Sequence, residues 1–564
     1  MTQDGTRLLG ISQRRNAAHA SWERCRSARG SGAPQSRGPG VPETRARSLR
    51  TLRYASAALA LIVAGAVTAC SGSGTTEDLV NTGQANGTLT VATPSAPSSL
   101  DPAVGQPADE TFSDFAYTPL IVQTANGSYT PGLAESWSYG PDNETFTIKL
   151  RSGVKFSDGT ALNADAVKTW IQHEMKPGNG GASYLSTLKS VDVTGPLTLT
   201  LKFSSPTPDL EMVFGQILAL GMIGSPKAVR AGTLTRETDG AGPYMLDTSA
   251  TVPGATYTYV PNPHYWDKPA VHWSKVVVKV IASPTAALEA LQSGQVQVAM
   301  DQPVTSVPVA KKSGLHYVDP LTLLLGLGIL DRGGKISKPL ANVQVRQALN
   351  YAINRPALAK VLGAGYATAI TQMAAPGWDS YNAALGQAYP YDPAKAKQLL
   401  AAAGYPHGFT LPVVSVAAVG QDLLADALQG QLSAVGITVQ PDITTNTGAY
   451  FQALSSGNYP AATLSFGRLP AAFDYADLYG PVAAFNPFKT ASPQLTALDA
   501  KLNAASANAE PAIAKQMQTL LVNQAWFVPV AATPLVVLYQ SDVTGVNATP
   551  QRNVVYMTEI RPAG

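Results

Sequence analysis

Residues 117–170, YTPLIVQTANGSYTPGLAESWSYGPDNETFTIKLRSGVKFSDGTALNADAVKTW, set a strand and a helix side by side in one short run. From Thr145 to Leu150 the apolar Phe146, Ile148 and Leu150 alternate with Thr145, Thr147 and Lys149, the period of a strand with one buried face. Asp142 and Asn143 in front of it are turn formers. Asn163 is placed to cap a helix whose inner face holds Val167, Trp170 and Ile171. Pro131-Gly132-Leu133 and Ser157-Asp158-Gly159 read as turns in which glycine supplies a positive φ. Trp137 is expected in the core of this unit, and Arg151 beside an acid.

The same rhythm extends outward on both sides. Gly87 to Thr93 reads as a first strand, Leu197 to Phe203 alternates again, and Lys275 to Ile281 is Val-rich. A helix from about Thr285 ends near Gly294. Beyond residue 340 helices dominate: Val345, Ala348, Leu349 and Ile353 keep helical spacing, Ala394–Ala403 is closed by Gly404, and Asp422–Ala434 stops at Val435-Gly436 before the strand Ile437–Val439. Two more helices span about Gln494–Ala505 and Pro511–Asn523, and the apolar, β-rich Val528–Leu538 is placed to return to the first half. Helix, glycine, then strand is the rhythm of α/β units. With 564 residues, too many for one core, a two-lobed α/β protein follows.

Charge is unevenly distributed. The formal balance is +3, but residues 1–70 carry eleven Arg against three acids, leaving 29 basic and 34 acidic side chains in the remainder. The body is mildly acidic, which removes the basic face that nucleic-acid binding requires. Cys25 and Cys70 are the only cysteines, so the body holds no disulfide framework or cysteine metal cluster. Six His are scattered without metal-site spacing, and no metal or cofactor is expected.

The leader explains the basic excess. Arg45, Arg47, Arg50 and Arg53 flank an uncharged run from Tyr54 to Ala69. Its apolar centre, Ala57–Val67, falls short of the roughly 20 residues that span a bilayer. It reads as a secretory h-region before a small-residue cleavage site. Val67-Thr68-Ala69-Cys70 resembles the bacterial lipobox, whose cysteine thiolate accepts a diacylglyceryl group. Residues 1–69 are therefore expected to be a basic extension and lipoprotein signal peptide, and residues 70–86 a flexible tether. Initiation at Val41 would leave an ordinary n-region. The expected location is the extracytoplasmic face of the cell membrane, anchored by lipid on Cys70.

Several ordered segments resemble the family 5 extracytoplasmic solute-binding proteins, which include dipeptide-, oligopeptide- and nickel-binding members. They are Gly87–Ala103, with its LDP; Pro131–Trp137, PGLAESW; Leu150–Gly159, LRSGVKFSDG; Gly240–Tyr244, GAGPY; Asn262–Trp266, NPHYW; and Val345–Leu358, VRQALNYAINRPAL. Gln297 and Asn354 stand where the family has Asp, at positions that read as structural. The resemblance implies a periplasmic-binding-protein-like fold with an extra small subdomain in the first lobe. Expected bounds are 87–325 plus 533–564 for lobe I, with the subdomain at about 131–235, and 326–532 for lobe II. It implies a monomer that closes about a solute, by swinging on strands near 315–330 and 530–540, and then docks on ABC permease subunits.

The resemblance also suggests ligand contacts. Asp474, in Phe473–Leu478, falls where peptide-binding relatives pair an Asp with the α-amine, and a carboxylate suits an ammonium; capping of a local helix or turn is the alternative. Tyr117, Trp378 and Phe485 lie in stretches that relatives place near the cleft, with core packing as their alternative. A peptide is the expected solute, with a sugar, haem or metal chelate as alternatives. No enzyme is expected: Ser186-Thr187-Leu188-Lys189, with Ser456-Gly457-Asn458 and Lys489-Thr490-Ala491, only loosely follows the pattern of a penicillin-interacting serine enzyme.

Overall fold

A computed structural model describes residues 87–564 apart from 106–108, 178, 418–419, 507 and 553. The expected signal peptide and tether, with Cys70, lie outside the described residues. Among the described residues no helix is long and apolar enough to cross a membrane.

The alternation around Phe146 builds a four-stranded antiparallel sheet, ordered Ala134–Tyr139, Thr145–Leu150, Thr198–Phe203, Leu188–Gly195. Phe146, Ile148, Leu150, Leu199, Leu201 and Phe203 are buried on one face, against the helix Ala164–Glu174. Asn163 caps that helix, its side chain accepting from the Ala166 N–H at 2.9 Å. Trp170 is fully buried and donates from Nε1 to the Leu220 carbonyl at 3.0 Å. This is the small subdomain.

The first lobe is organised by a seven-stranded sheet in the order His316–Val318, Val536–Tyr539, Val298–Gln302, Thr88–Thr93, Lys275–Val280, Thr256–Pro261, Tyr244–Leu246. Thr88–Thr93 runs parallel to both of its neighbours. Gln297 carries a structural bond, its Oε1 accepting from the Thr90 N–H at 2.7 Å. The second lobe holds six strands in the order Thr368–Ala369, Phe527–Pro534, Leu321–Ile329, Ala461–Phe466, Thr410–Val416, Thr438–Thr444. Its helices pack Val345, Ala348, Leu349, Leu424 and Leu428 against that sheet. Asn354 caps the helix Arg355–Leu362 through Oδ1 and the Ala357 N–H, at 3.1 Å.

The chain passes from the first sheet to the second between Val318 and Leu321, and returns between Pro534 and Val536. The expected lobe boundary at 325/326 falls inside the strand Leu321–Ile329. The C-terminal segment then packs back on the first lobe, burying Val546, Val555, Met557 and Ile560. Within it Arg552, fully buried, makes two bonds to Glu559 at 2.5 and 2.7 Å, and the Met557 N–H donates to Asp114 of the first lobe at 3.1 Å.

Three local expectations are corrected. Among the described residues Arg151 pairs with no acid: its Nε donates to the Gly132 carbonyl at 2.7 Å and its guanidinium lies 4.5 Å from the centre of the Trp266 ring. Trp137 is half-buried at the edge of the subdomain core, with its indole N–H on Glu211. Gly159 has the positive φ of a turn glycine, 83°, but Gly132 does not. Gly132 is required for space, since a Cβ there would sit 2.2 Å from the Pro119 carbonyl oxygen.

Space also explains the GAGPY segment. A Cβ on Gly242 would lie 2.3 Å from the Ala116 carbonyl carbon and 2.5 Å from the Tyr117 nitrogen, both backbone atoms that cannot turn aside. Gly242→Ala is expected to lower unfolding free energy by about 1–3 kcal/mol, the usual cost of overpacking. Urea denaturation checks this; a change under about 0.5 kcal/mol would contradict the packing described.

Candidate functional site: a cavity between the lobes

A cavity of about 560 Å3 lies between the small subdomain and the second lobe. That size falls within the roughly 300–1,000 Å3 of pockets for small molecules. The subdomain supplies Tyr129, Tyr139, Asn143, Asp209 and Glu211; the second lobe supplies Asp379, Arg468, Leu502 and Glu510.

Each wall has a local cause. Trp137 and Tyr139 are two residues apart on one strand, so their side chains share a face. Both reach Glu211: the Trp137 indole N–H donates to Oε1 at 3.0 Å and the Tyr139 hydroxyl to Oε2 at 2.6 Å. The Tyr139 oxygen in turn accepts from the Leu210 N–H at 2.7 Å. Burial, and then the Glu211 charge, hold the Tyr139 phenol well above its ordinary range. Asp209 precedes this bend with φ 58° and ψ 22°, a left-handed conformation that Asp tolerates. On the opposite wall Glu510 opens the helix Glu510–Gln524, where the helix dipole favours a negative charge. Arg468 follows the strand Ala461–Phe466 and pairs with Asp379 at 2.6 Å.

Burial dominates the titration of two of these acids. It pushes Asp209 up to about 8, helped by Glu510 and Glu211 and opposed by Arg468. It pushes Glu510 up to about 7, with Glu211 and Asp379 adding to the effect.

The two sides touch at several points. Asn143 Nδ2 donates to the Asn503 and Ala505 carbonyls at 3.3 and 3.2 Å. The Tyr184 and Phe473 rings meet edge-on, 5.4 Å between centres. Arg468 Nη1 donates to the Gln551 carbonyl of the C-terminal segment. Asn143, a turn former in the sequence, thus also bridges the lobes.

The four residues expected at the ligand lie elsewhere than on this wall. Tyr117 is fully buried in the first-lobe core, its hydroxyl 3.4 Å from the Leu100 carbonyl. Trp378 is buried in a second-lobe core, one residue before Asp379. Phe485 packs edge-on against Phe466, 4.9 Å between centres. Asp474 ends the short helix Ala471–Asp474 and caps nothing with its side chain. Burial, and secondarily Asp477, hold its carboxyl well above the usual range, while Arg468 draws it down. Sequence reading missed Asp209, Glu211, Asp379, Arg468 and Glu510. Only the paired aromatics on Ala134–Tyr139 hinted at a wall, and their partner Glu211 lies 74 and 72 residues away.

Among the described residues no group of three or more His, Cys, Asp or Glu is arranged to hold a metal ion.

Comparison with known proteins places this architecture. The glutathione-binding proteins GsiB of Escherichia coli and Shigella flexneri are each 33% identical over 322 residues, 55% of this chain and 60% of theirs. The match therefore spans three-fifths of the length of those relatives. The DppA periplasmic binding protein of Helicobacter pylori, solved with peptide STSA, superposes with a TM-score of 0.73 at 22% identity, over 85% of this chain and 99% of that one. NikZ of Campylobacter jejuni, solved with Ni(L-His), superposes at 0.71 and 19% identity, over 84% and 99%. These relatives are solute-binding proteins, not enzymes, and the superpositions establish the two-lobed fold. The family profile for bacterial extracellular solute-binding proteins, family 5, matches residues 128–481. The chain belongs to the family 5 bacterial extracellular solute-binding proteins.

Proposed function

We propose that this chain captures a small, peptide-like solute outside the cytoplasmic membrane and delivers it to the permease of an ABC importer, tethered by a lipid on Cys70. The cavity walled by both lobes and bridged by Asn143, Tyr184 and Arg468 carries this reading. A ligand touching both walls favours the closed arrangement by its differential affinity, and no covalent chemistry is involved. Relatives named for binding glutathione, itself a tripeptide, and a peptide-bound structural neighbour support the peptide class. Asp474, within electrostatic reach of Arg468, remains the candidate partner for a peptide α-ammonium.

A thermal-shift panel of short peptides, including glutathione, tests the capture. A bound peptide at 100 times its dissociation constant should stabilise the protein by about 2.7 kcal/mol. A response to sugars or metal chelates but to no peptide would contradict the peptide class.

Closure has its own test. Asn143→Gly keeps the backbone conformation, φ 53°, and removes both bonds to the second lobe. At about 0.5–1.5 kcal/mol per bond, the two together should cost about fivefold to a hundredfold in affinity, with little change in unfolding midpoint. Unchanged affinity would show that this bridge plays no part in closure. Cys70→Ser should move the chain from the membrane fraction to the soluble one; retention at the membrane would rule out the lipid tether.

A further inference from the structure

The cavity wall carries an excess of negative charge. Among the described residues lining it, Asp209, Glu211, Asp379 and Glu510 are acidic and Arg468 alone is basic. The acids come from both sides, two on the small subdomain and two on the second lobe. Two are already engaged: Trp137 and Tyr139 hold both oxygens of Glu211, and Asp379 pairs with Arg468. Asp209 and Glu510 are half-buried, and among the described residues neither carboxylate accepts a hydrogen bond. Their surroundings are not those of a metal site. What they face is the open volume of the cavity.

We propose that this cavity selects peptide-like solutes bearing a second cationic group, a side-chain ammonium or guanidinium beyond the α-ammonium, which sits between Asp209 and Glu510. The inference rests on the solute-capture reading above and names the chemistry of its ligand.

The physical basis is the cost of closing an acidic cleft. Bringing Asp209 and Glu211 against Asp379 and Glu510 sets like charges face to face at reduced dielectric, with Arg468 offsetting one of them. A cationic group on the solute removes that repulsion and satisfies two carboxylates with charge-assisted hydrogen bonds. A neutral solute leaves the repulsion in place, and an anionic one adds to it. Selection of the solute and closure of the lobes are then one event.

A proton competes for the same place. Without a cation, burial together with the facing acids holds the Asp209 and Glu510 carboxyls well above their ordinary range. A cation drives both acids to ionise. Binding therefore releases protons, and affinity for cationic solutes falls as pH falls from about 8 through the raised range of the two carboxyls. The groups that set this balance are Asp209, Glu510, Glu211, Asp379 and Arg468, with Tyr129 and Tyr139 beside them.

Isothermal titration calorimetry of the full-length chain in mild detergent tests this with four dipeptides: Ala-Ala, Ala-Lys, Ala-Arg and Ala-Glu. The Lys and Arg peptides should bind at least about tenfold more tightly than Ala-Ala, the ratio a single charge-assisted hydrogen bond supplies. Their binding should release a proton, seen as a heat that changes with the ionisation enthalpy of the buffer. Asp209→Asn and Glu510→Gln should each shrink the preference to within about threefold, and the melting temperature of neither should fall, because each removes a charge that repels its neighbours. Equal or tighter binding of Ala-Ala or Ala-Glu overturns the charge selection and leaves solute capture standing. A Lys preference that survives both substitutions overturns the assignment to Asp209 and Glu510. Binding by none of the four contradicts the capture of peptide-like solutes, and this inference with it.

Discussion

Two strands pass side by side from one lobe to the other, and the geometry of the whole molecule depends on that pair. On the first-lobe side Tyr317 and Val318 pair with Leu538 and Val537; on the second-lobe side Leu321 pairs with Pro534. The two connections are thus one antiparallel ribbon, hydrogen-bonded on either side of the crossing. A paired ribbon bends readily but resists shear, because slipping by one residue would turn every buried side chain outward. Each lobe keeps its own sheet and core, and the chain crosses between them at residues 319–320 and 535. Hinge motion of this kind is a common way for a protein to enclose a ligand.

What the ribbon permits, the facing surfaces decide. The small subdomain reaches the second lobe through Asn143 and Tyr184, and the C-terminal segment reaches it through Gln551. These contacts are few, and part of the wall between them is acidic. In the proposed reading, a closure held by these contacts and opposed by like charge gives way when empty, which lets a ligand act as the switch. Arg468 joins both parts of this arrangement: it neutralises Asp379 within its own lobe and binds the chain that belongs to the other.

The elements were legible in the sequence because they depend on neighbours. Alternation at Phe146, Ile148 and Leu150 marked a strand, Asn163 marked the start of a helix, and glycine after Ala403 marked an end. The cavity was not legible, because it depends on residues brought from far apart: Asn143 meets Asn503 across 360 positions, and Arg468 meets Gln551 across 83. Family resemblance pointed toward aromatic residues and Asp474, yet the ring of Tyr117 is enclosed by the first-lobe core and Trp378 by a second-lobe core. Gly132 shows the same limit on a smaller scale. A turn motif implies a dihedral angle, whereas the need here is the Pro119 carbonyl crowding from outside the motif.

Closure about the ribbon is measured most directly as a distance across the cleft. Spin labels at exposed Asp142, beside the Asn143 bridge, and at exposed Asn508, beyond Ala505, report whether the subdomain has met the second lobe. With a bound solute the account predicts a single short, narrow distance; without one, a longer and broader distribution. The same narrow distance in both conditions would mean that the halves do not move, and would contradict the account.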